Sequence, residues 1–309
     1  ARGASTPSSG TLAKDKRLAF TVQFAVWAPN LEFYSGHESF PGTMKLITGH
    51  AALWGWYVAA FEAVDAGNAE LVALLWQAAL TATIQAHGVD RYFRLTVPSS
   101  EIGTKLPIVL AFHGGGGAED DFPQQDEFDA LAEEEKFIMA YPITEEGRTE
   151  SEGEWFLNSA ATSRDDNIFS EAIVDELSKS YCIDEDRLYA VGYSLGSMFT
   201  YEVACQLNTR FAAVASFAGT MPVNPETCNL YGSMGVMHIH GKLDWLIDYD
   251  DDWDWKDGEH EGVGTMSNIP GMIDYWADKL DCEDENSNQQ FDVEHIVHSQ
   301  CTAGVTVEH

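Results

Sequence analysis

A mostly parallel β-sheet with helices packed on both faces is the architecture this 309-residue sequence predicts, and three observations carry it. Short, unbroken apolar runs at 106–112, 137–142, 188–191, 212–217 and 235–239 have the texture of strands buried on both sides. Helical stretches at 128–135, 167–180, 197–207 and 269–280 stand between or after them, so strands and helices alternate as parallel crossovers require. The third observation is the run LYAVGYSLGSMF, 188–199, in which a buried-type strand, the pattern G-x-S-x-G and a helix follow one another.

Residues 1–17 are rich in Ser, Gly and Thr and then basic, the composition of a mobile tail. Strands are expected at 18–27 and 30–34, with a loop over 34–42 marked by Gly, Ser and Pro. Residues 46–63 and 69–85 are Ala/Leu/Trp-rich at helical spacing, broken at Asp65-Ala66-Gly67-Asn68. That pair reads better as a core or lid element than as a membrane insertion. The texture changes at Val89: 91–97 alternates as a strand should and Pro98-Ser99-Ser100 ends it. Asp165-Asp166 is expected to cap the helix over 167–180. The chain therefore divides into a tail (1–17), an N-terminal segment (18–86) and an α/β core (87–309), with no internal repeat in the core.

Charge narrows the partners. Asp and Glu number 50 against 17 Lys and Arg, a formal net charge of −33, which argues against nucleic acid or an anionic membrane. So large an excess fits a solvated surface suited to saline water. No window holds 18 consecutive apolar residues, so no membrane-spanning helix is expected. The first residue is Ala with no charged-then-apolar leader before it, as in a processed or excised chain. The five cysteines lack C-x-x-C spacing, so no metal site is expected and no cofactor is implied. Four of them suffice for two bridges in an oxidising compartment; five free thiols are the other reading.

The chemistry gathers at three places. In Gly192-Tyr193-Ser194-Leu195-Gly196 the two glycines permit a sharp turn and close helix packing. Ser194 then stands at a helix N-terminus, where unpaired N–H groups favour a developing oxyanion. His113-Gly114-Gly115-Gly116-Gly117 directly follows a buried strand, 194 − 113 = 81 residues earlier. Such a loop supplies one oxyanion N–H, from Gly115 or Gly116, while Leu195 supplies the other. No G-K-[S/T] follows, which disfavours a phosphate loop. Asp244, in His240-Gly241-Lys242-Leu243-Asp244, lies just past another strand and 244 − 194 = 50 residues after the serine, where the acid of a Ser–Asp–His order belongs. Asp248 and Asp250 are its rivals.

Residues 87–309 resemble the secreted esterases that include feruloyl esterases and polyhydroxybutyrate depolymerase-like enzymes, an α/β-hydrolase group. The pieces that carry the resemblance are VDRYFRLTVPSS, LPIVLAFHGGGG, Trp155, DDNIFSEAIVDEL, IDEDRLYAVGYSLGSMFTYEVACQL, RFAAVASFAGTMP, HIHGKLDWLIDY and IDYWADKLDC. It implies an α/β-hydrolase fold, Ser194 as nucleophile, Asp244 as triad acid, and bridges Cys282–Cys301 and Cys205–Cys228. It implies a secreted serine hydrolase of small-molecule or polymer esters; a truncated, non-catalytic ligand-binding member is the alternative. Leu195-Gly196-Ser197 departs from the Asn-Gly-Gly of many members, and 248–261 is far more acidic than their short loop; without EF-hand spacing it reads as solvated. Trp155 and Trp245, with Trp253 and Trp255, suggest a cleft that accepts flat aromatic groups.

The triad histidine is expected one strand after Asp244, but there the chain reads Gly304-Val305-Thr306-Val307-Glu308-His309. Gly36-His37-Glu38-Ser39-Phe40-Pro41-Gly42 resembles the missing loop, and Ala52-Leu53-Trp54-Gly55-Trp56-Tyr57 the family's closing helix. The expectation is thus a circular permutation, with His37 as the catalytic base and the strand at 30–34 joining the sheet beside the one that ends at His309. The remnant of a preceding tandem domain would look the same, and an ordinary loop histidine in a truncated hydrolase is the third reading.

Overall fold

In the computed structural model the described residues are 33–34, 43–44, 80–101, 103–115, 122, 125–144, 155–160, 163–252 and 268–309. The chain divides into two compact units, Ala1–Leu80 and Thr81–His309. In the first, β1 (Phe33–Tyr34) pairs antiparallel with β2 (Thr43–Met44) as a two-stranded sheet of its own. The expectation that 30–34 joins the main sheet is therefore corrected. The tail, the stretch 46–63 and His37 lie outside the described residues.

The second unit is built on a ten-stranded sheet. Its strands are β3 (Leu80–Ala86), β4 (Val89–Thr96), β5 (Leu106–Phe112), β6 (Ile138–Pro142), β7 (Ile183–Tyr193), β8 (Ala213–Phe217), β9 (Gly235–Ile239), β10 (Asp284–Gln290), β11 (Val293–Ser299) and β12 (Val307–Glu308). They lie in the order β10-β11-β12-β9-β8-β7-β5-β6-β4-β3. The six central strands run parallel, and the antiparallel pairings β4·β6, β11·β12 and β10·β11 flank them. The crossovers carry α1 (Gln125–Glu135), α2 (Asp165–Ser180) and α3 (Leu195–Gln206), and α4 (Ile269–Lys279) precedes β10.

Burial explains why the centre is legible as strand. Six of the seven residues of β5, LPIVLAF, are buried, as a strand covered on both faces requires. On one face Ala111, Met139 and Tyr141 pack with Ala132 of α1 and with Phe122. On the other, Phe112 meets Phe199 of α3 edge-on at 4.8 Å.

Three local expectations are corrected. Residues 80–85, the end of the stretch 69–85 expected as helix, belong to β3, in which Ile84 and Ala86 are buried while Gln85 between them is exposed. His87 and Gly88, both at positive φ (54° and 81°), make the two-residue turn into β4. The expected boundary at 86/87 falls inside this hairpin, and the compact units part at Leu80/Thr81. Asp165 and Asp166 occupy the first turn of α2 and Arg164 takes the cap position. Asp166 is fully buried and pairs with the buried Arg91 at 2.9 Å, a role its motif did not announce.

Both disulfides implied by the resemblance are present. Cys205–Cys228 ties the end of α3 to the segment before β9, and Cys282–Cys301 closes the base of the β10–β11 hairpin. Cys182 is a free, exposed thiol. No helix among the described residues is long and apolar enough to cross a membrane.

Candidate active site

Parallel strands deliver their carboxyl ends to one edge of the sheet. Tyr193, Phe217 and Ile239, the last residues of β7, β8 and β9, are register partners across it. The turn from β7 to α3 rises there. Ser194 occupies it at φ 52°, ψ −119°, the one residue between strand and helix. Holding a non-glycine residue at positive φ costs on the order of 1–3 kcal/mol. The turn is held by hydrogen bonds on both sides: Ser194 N–H donates to Phe217 O at 2.9 Å, and Met198 N–H donates to Ser194 O at 3.1 Å.

The two motif glycines leave room for nothing larger. A Cβ on Gly192 would lie 2.2 Å from Gly196 O, and one on Gly196 would lie 2.1 Å from Phe112 O. The helix thus rests directly on the end of β5, which continues into the glycine loop. A Cβ built on Gly114 would come 3.3 Å from Ser194 Cβ, and one on Gly115 3.4 Å from Leu195 Cδ2. Strand, turn and loop are therefore assembled as the motifs require. Leu195, first residue of α3, has no intrahelical acceptor for its N–H. Gly116 lies outside the described residues.

His113 is buried and structural. Its Nε2 accepts from Thr144 N–H at 3.3 Å, so Nδ1 carries the proton and donates to Gly114 O at 2.8 Å. Trp155 also departs from the expectation of an open cleft wall. It is 4% exposed, stacks on Phe199, meets Phe112 edge-on, and donates Nε1–H to His113 O at 2.9 Å. Trp245 is 88% exposed, beside the equally open Leu243. Trp253 and Trp255 lie outside the described residues.

Asp244 sits five residues beyond β9 in a tight turn, its N–H on Gly241 O at 2.9 Å. Oδ1 accepts the N–H groups of Leu246 and Ile247, at 2.9 and 3.1 Å, which fixes the carboxylate without using Oδ2. Oδ2 stands 3.7 Å from His240 Nε2, beyond hydrogen-bond distance.

The neighbouring histidines form a one-way chain. His240 Nε2 donates to Ile247 O at 2.8 Å, so its Nδ1 accepts from His238 Nε2–H at 3.2 Å. His238 Nδ1 in turn accepts from Tyr201 Oη–H at 2.8 Å, with Ser216 Oγ at 3.0 Å. His238, buried in this chain, is held in its neutral form. Burial, then the neighbouring His240 and His309, hold His238 well below the usual imidazole range. His309 stacks on Tyr249 at 5.6 Å, and its backbone pairs with Ile296. Burial and then His240 lower it too. His295 faces Glu308, His298 lies near Glu285, and His87 contacts Asp165. No described histidine hydrogen-bonds to Ser194 Oγ. Of the ten histidines, His37, His50 and His260 lie outside the described residues.

A concave surface of about 730 Å³ over β9, β11 and β12 is walled by Ile239, Tyr249 and His309; Ser194 and Asp244 are not among its lining residues. Among the described residues no cluster of His, Cys, Asp or Glu has the arrangement of a metal site. Sequence reasoning missed Glu202, a fully buried carboxylate on α3 that binds Asn158 and Ser159; its signal is a lone acid in the apolar run MFTYEVAC.

Comparison with known proteins bears on the family and the fold. NocK of Nocardia uniformis, described as a putative esterase, is 32% identical over 47% of this chain and 42% of its own length. The bifunctional acetylxylan esterase/xylanase XynS20E of Neocallimastix patriciarum is 26% identical over 52% of this chain and 22% of its own. Feruloyl esterase B of Neurospora crassa is 26% identical over 46% of this chain and 52% of its own. The matches thus span about half the length of these relatives, or less. Among solved structures, the acetyl xylan esterase from Aspergillus awamori superposes with a TM-score of 0.55 at 16% identity, over 75% of this chain and 91% of that one. That likeness shows the fold, the α/β-hydrolase architecture expected from the sequence. With the model of the esterase PHB depolymerase family matching residues 91–257, more than half of its length, the chain belongs to that family.

Proposed function

We propose that this protein is a serine carboxylic-ester hydrolase that works through an acyl-enzyme on hydroxycinnamoyl or polyester esters. The observation that supports it most is the strained turn at Ser194, with Gly114 and Gly115 packed against Ser194 and Leu195. A serine held at positive φ between strand and helix presents Oγ outward, beside two sets of backbone N–H groups.

In this mechanism Ser194 Oγ attacks the ester carbonyl carbon while the base takes its proton. The carbonyl oxygen becomes an oxyanion held by the N–H groups of Leu195 and Gly115. Collapse expels the alcohol, which receives the proton from the base. Water, deprotonated by the same base, then attacks the acyl-enzyme; the acid leaves and Ser194 regains its proton. Asp244 orients the base through Oδ2, its other oxygen being committed to the turn. We assign the base to His37, which alone of the three histidines outside the described residues has the sequence Gly-His followed closely by Phe-Pro-Gly.

The substrate class is supported by relatives that are named as feruloyl and acetylxylan esterases. The exposed Leu243, Trp245 and Leu246 around Asp244 offer apolar side chains to an aromatic or polymeric ester. Two disulfides support secretion into an oxidising compartment. Hydrolysis of methyl ferulate compared with a short polyhydroxybutyrate oligomer tests the class, and Ser194→Ala and His37→Ala should each abolish turnover. Full activity in His37→Ala, with loss in His50→Ala or His260→Ala, would move the base.

A further inference from the structure

Residues 155–159 cross from the glycine loop to the nucleophile helix, and each of their anchors is buried. Phe156 N–H donates to Asp166 Oδ2 at 2.8 Å, and Asp166 Oδ1 binds Arg91 at 2.9 Å. Two residues on, Glu202 gathers Asn158 N–H, Ser159 N–H at 3.0 Å and Ser159 Oγ–H at 2.7 Å. Asn167 Nδ2 adds a bond to Ser159 Oγ at 2.7 Å. Asn158 itself is at φ 49°, a conformation that the bonds around it must maintain. Glu202 stands 202 − 194 = 8 residues beyond Ser194 on α3, so the strap is fastened to the helix that begins at Ser194.

At the other end of the strap stands Trp155. Its ring is held between Phe199 and Phe112, and its Nε1–H ends on His113 O at 2.9 Å. A trans peptide points N–H opposite to C=O. Binding His113 O therefore fixes the direction of Gly114 N–H. The His113 ring does the same one residue on: its Nδ1–H on Gly114 O fixes Gly115 N–H. Two successive peptide planes of a glycine run, otherwise free to rotate, are locked beside Ser194.

We propose that the 155–159 strap, fastened by Asp166 and Glu202, is a positioning device for the oxyanion loop and acts on it through the Trp155 indole N–H. The proposal rests on the esterase reading above. Trp155 and Glu202 touch no reacting atom; they fix the His113–Gly114 peptide, from which the next peptide, carrying the Gly115 donor, takes its direction through the His113 ring. A misaimed donor weakens binding of the oxyanion more than binding of the neutral ester, so kcat should fall while KM holds.

The test measures kcat and KM on p-nitrophenyl acetate, with active sites counted by labelling with a serine-directed fluorophosphonate. Trp155→Phe keeps the ring packing and removes the donor. It should lower kcat per labelled site by about tenfold or more, with KM within about twofold. Glu202→Gln should lower kcat by a smaller factor. Because both residues act through one strap, the double variant should be no slower than Trp155→Phe alone. The proposal is overturned if Trp155→Phe keeps its kcat per site, if kcat and KM move together, or if the two effects multiply independently. A parent protein that neither labels nor turns over any ester would instead overturn the esterase reading itself, and the proposal with it.

Discussion

The Cα of Gly196 lies so close to the carbonyls of Phe112 and His113 that a Cβ there would sit 2.1 and 2.3 Å from their oxygens. Helix α3 is thus seated on the strand end that becomes the glycine loop. Both contacts are to backbone, which cannot swing aside as a flexible side chain can. Gly196→Ala should therefore lower stability by about 1–3 kcal/mol or more, the range for overpacking, and disturb the loop with it. Urea denaturation reads the first effect; a variant as stable as the parent would show that the seat is loose.

The Cys282–Cys301 bridge spans 19 residues of sequence at the base of a hairpin whose first strand, β10, is exposed along its whole length. By loop-closure entropy it should contribute on the order of 3 kcal/mol. Replacing both cysteines with serine should lower the melting temperature, and peptide mapping without reductant should find neither thiol alkylatable in the parent. Alkylation of both would contradict the pairing.

Two buried groups bound the pH range of stability from opposite sides. Burial raises the Glu202 carboxyl from 4.5 to about 6, against the hydrogen bonds of Ser159 and Asn158 and the pull of Arg164. The fold thus favours its protonated form. Its contribution is full below about pH 4.5 and is lost as pH rises through about 6, roughly 2 kcal/mol in all. His238 runs the other way: its folded pKa is depressed, so its contribution is present above about pH 6.5 and is lost as pH falls. Glu202→Gln should flatten the stability–pH curve between about 4.5 and 6, measured by denaturation at a series of pH values. An unchanged slope there would refute the assignment.

A formal charge of −33 opposes compaction by self-repulsion. Sodium chloride screens it over about 10 Å at 0.1 M. The melting temperature should hold or rise from low salt to molar salt; a steady fall would contradict this.

The central strands and the turn at Ser194 were legible because their signals are local. β9 was read to the residue, and Gly192-Tyr193-Ser194-Leu195-Gly196 carries its own turn chemistry. β10 and β11 were missed for a physical reason: DENSNQQ is exposed along its whole length, so no apolar alternation marks it. β3 was missed because its Ala and Leu residues also fit helical spacing, and the His87-Gly88 turn that decides the matter uses a histidine at positive φ. Of the candidate site, the strand-turn-helix at Ser194 and the start of the glycine loop were legible as local structure. The site was illegible at Trp155 and Glu202, whose roles depend on partners 42 and 44 residues away in sequence.

The claim that Ser194 is an activated nucleophile is tested most directly by covalent capture. Incubation with a fluorophosphonate followed by peptide mass spectrometry should find one adduct per chain, on Ser194, and p-nitrophenyl acetate hydrolysis should fall in step with labelling. Ser194→Ala should neither label nor turn over while melting as the parent does. An adduct on another residue, or hydrolysis that survives complete labelling of Ser194, would contradict the account.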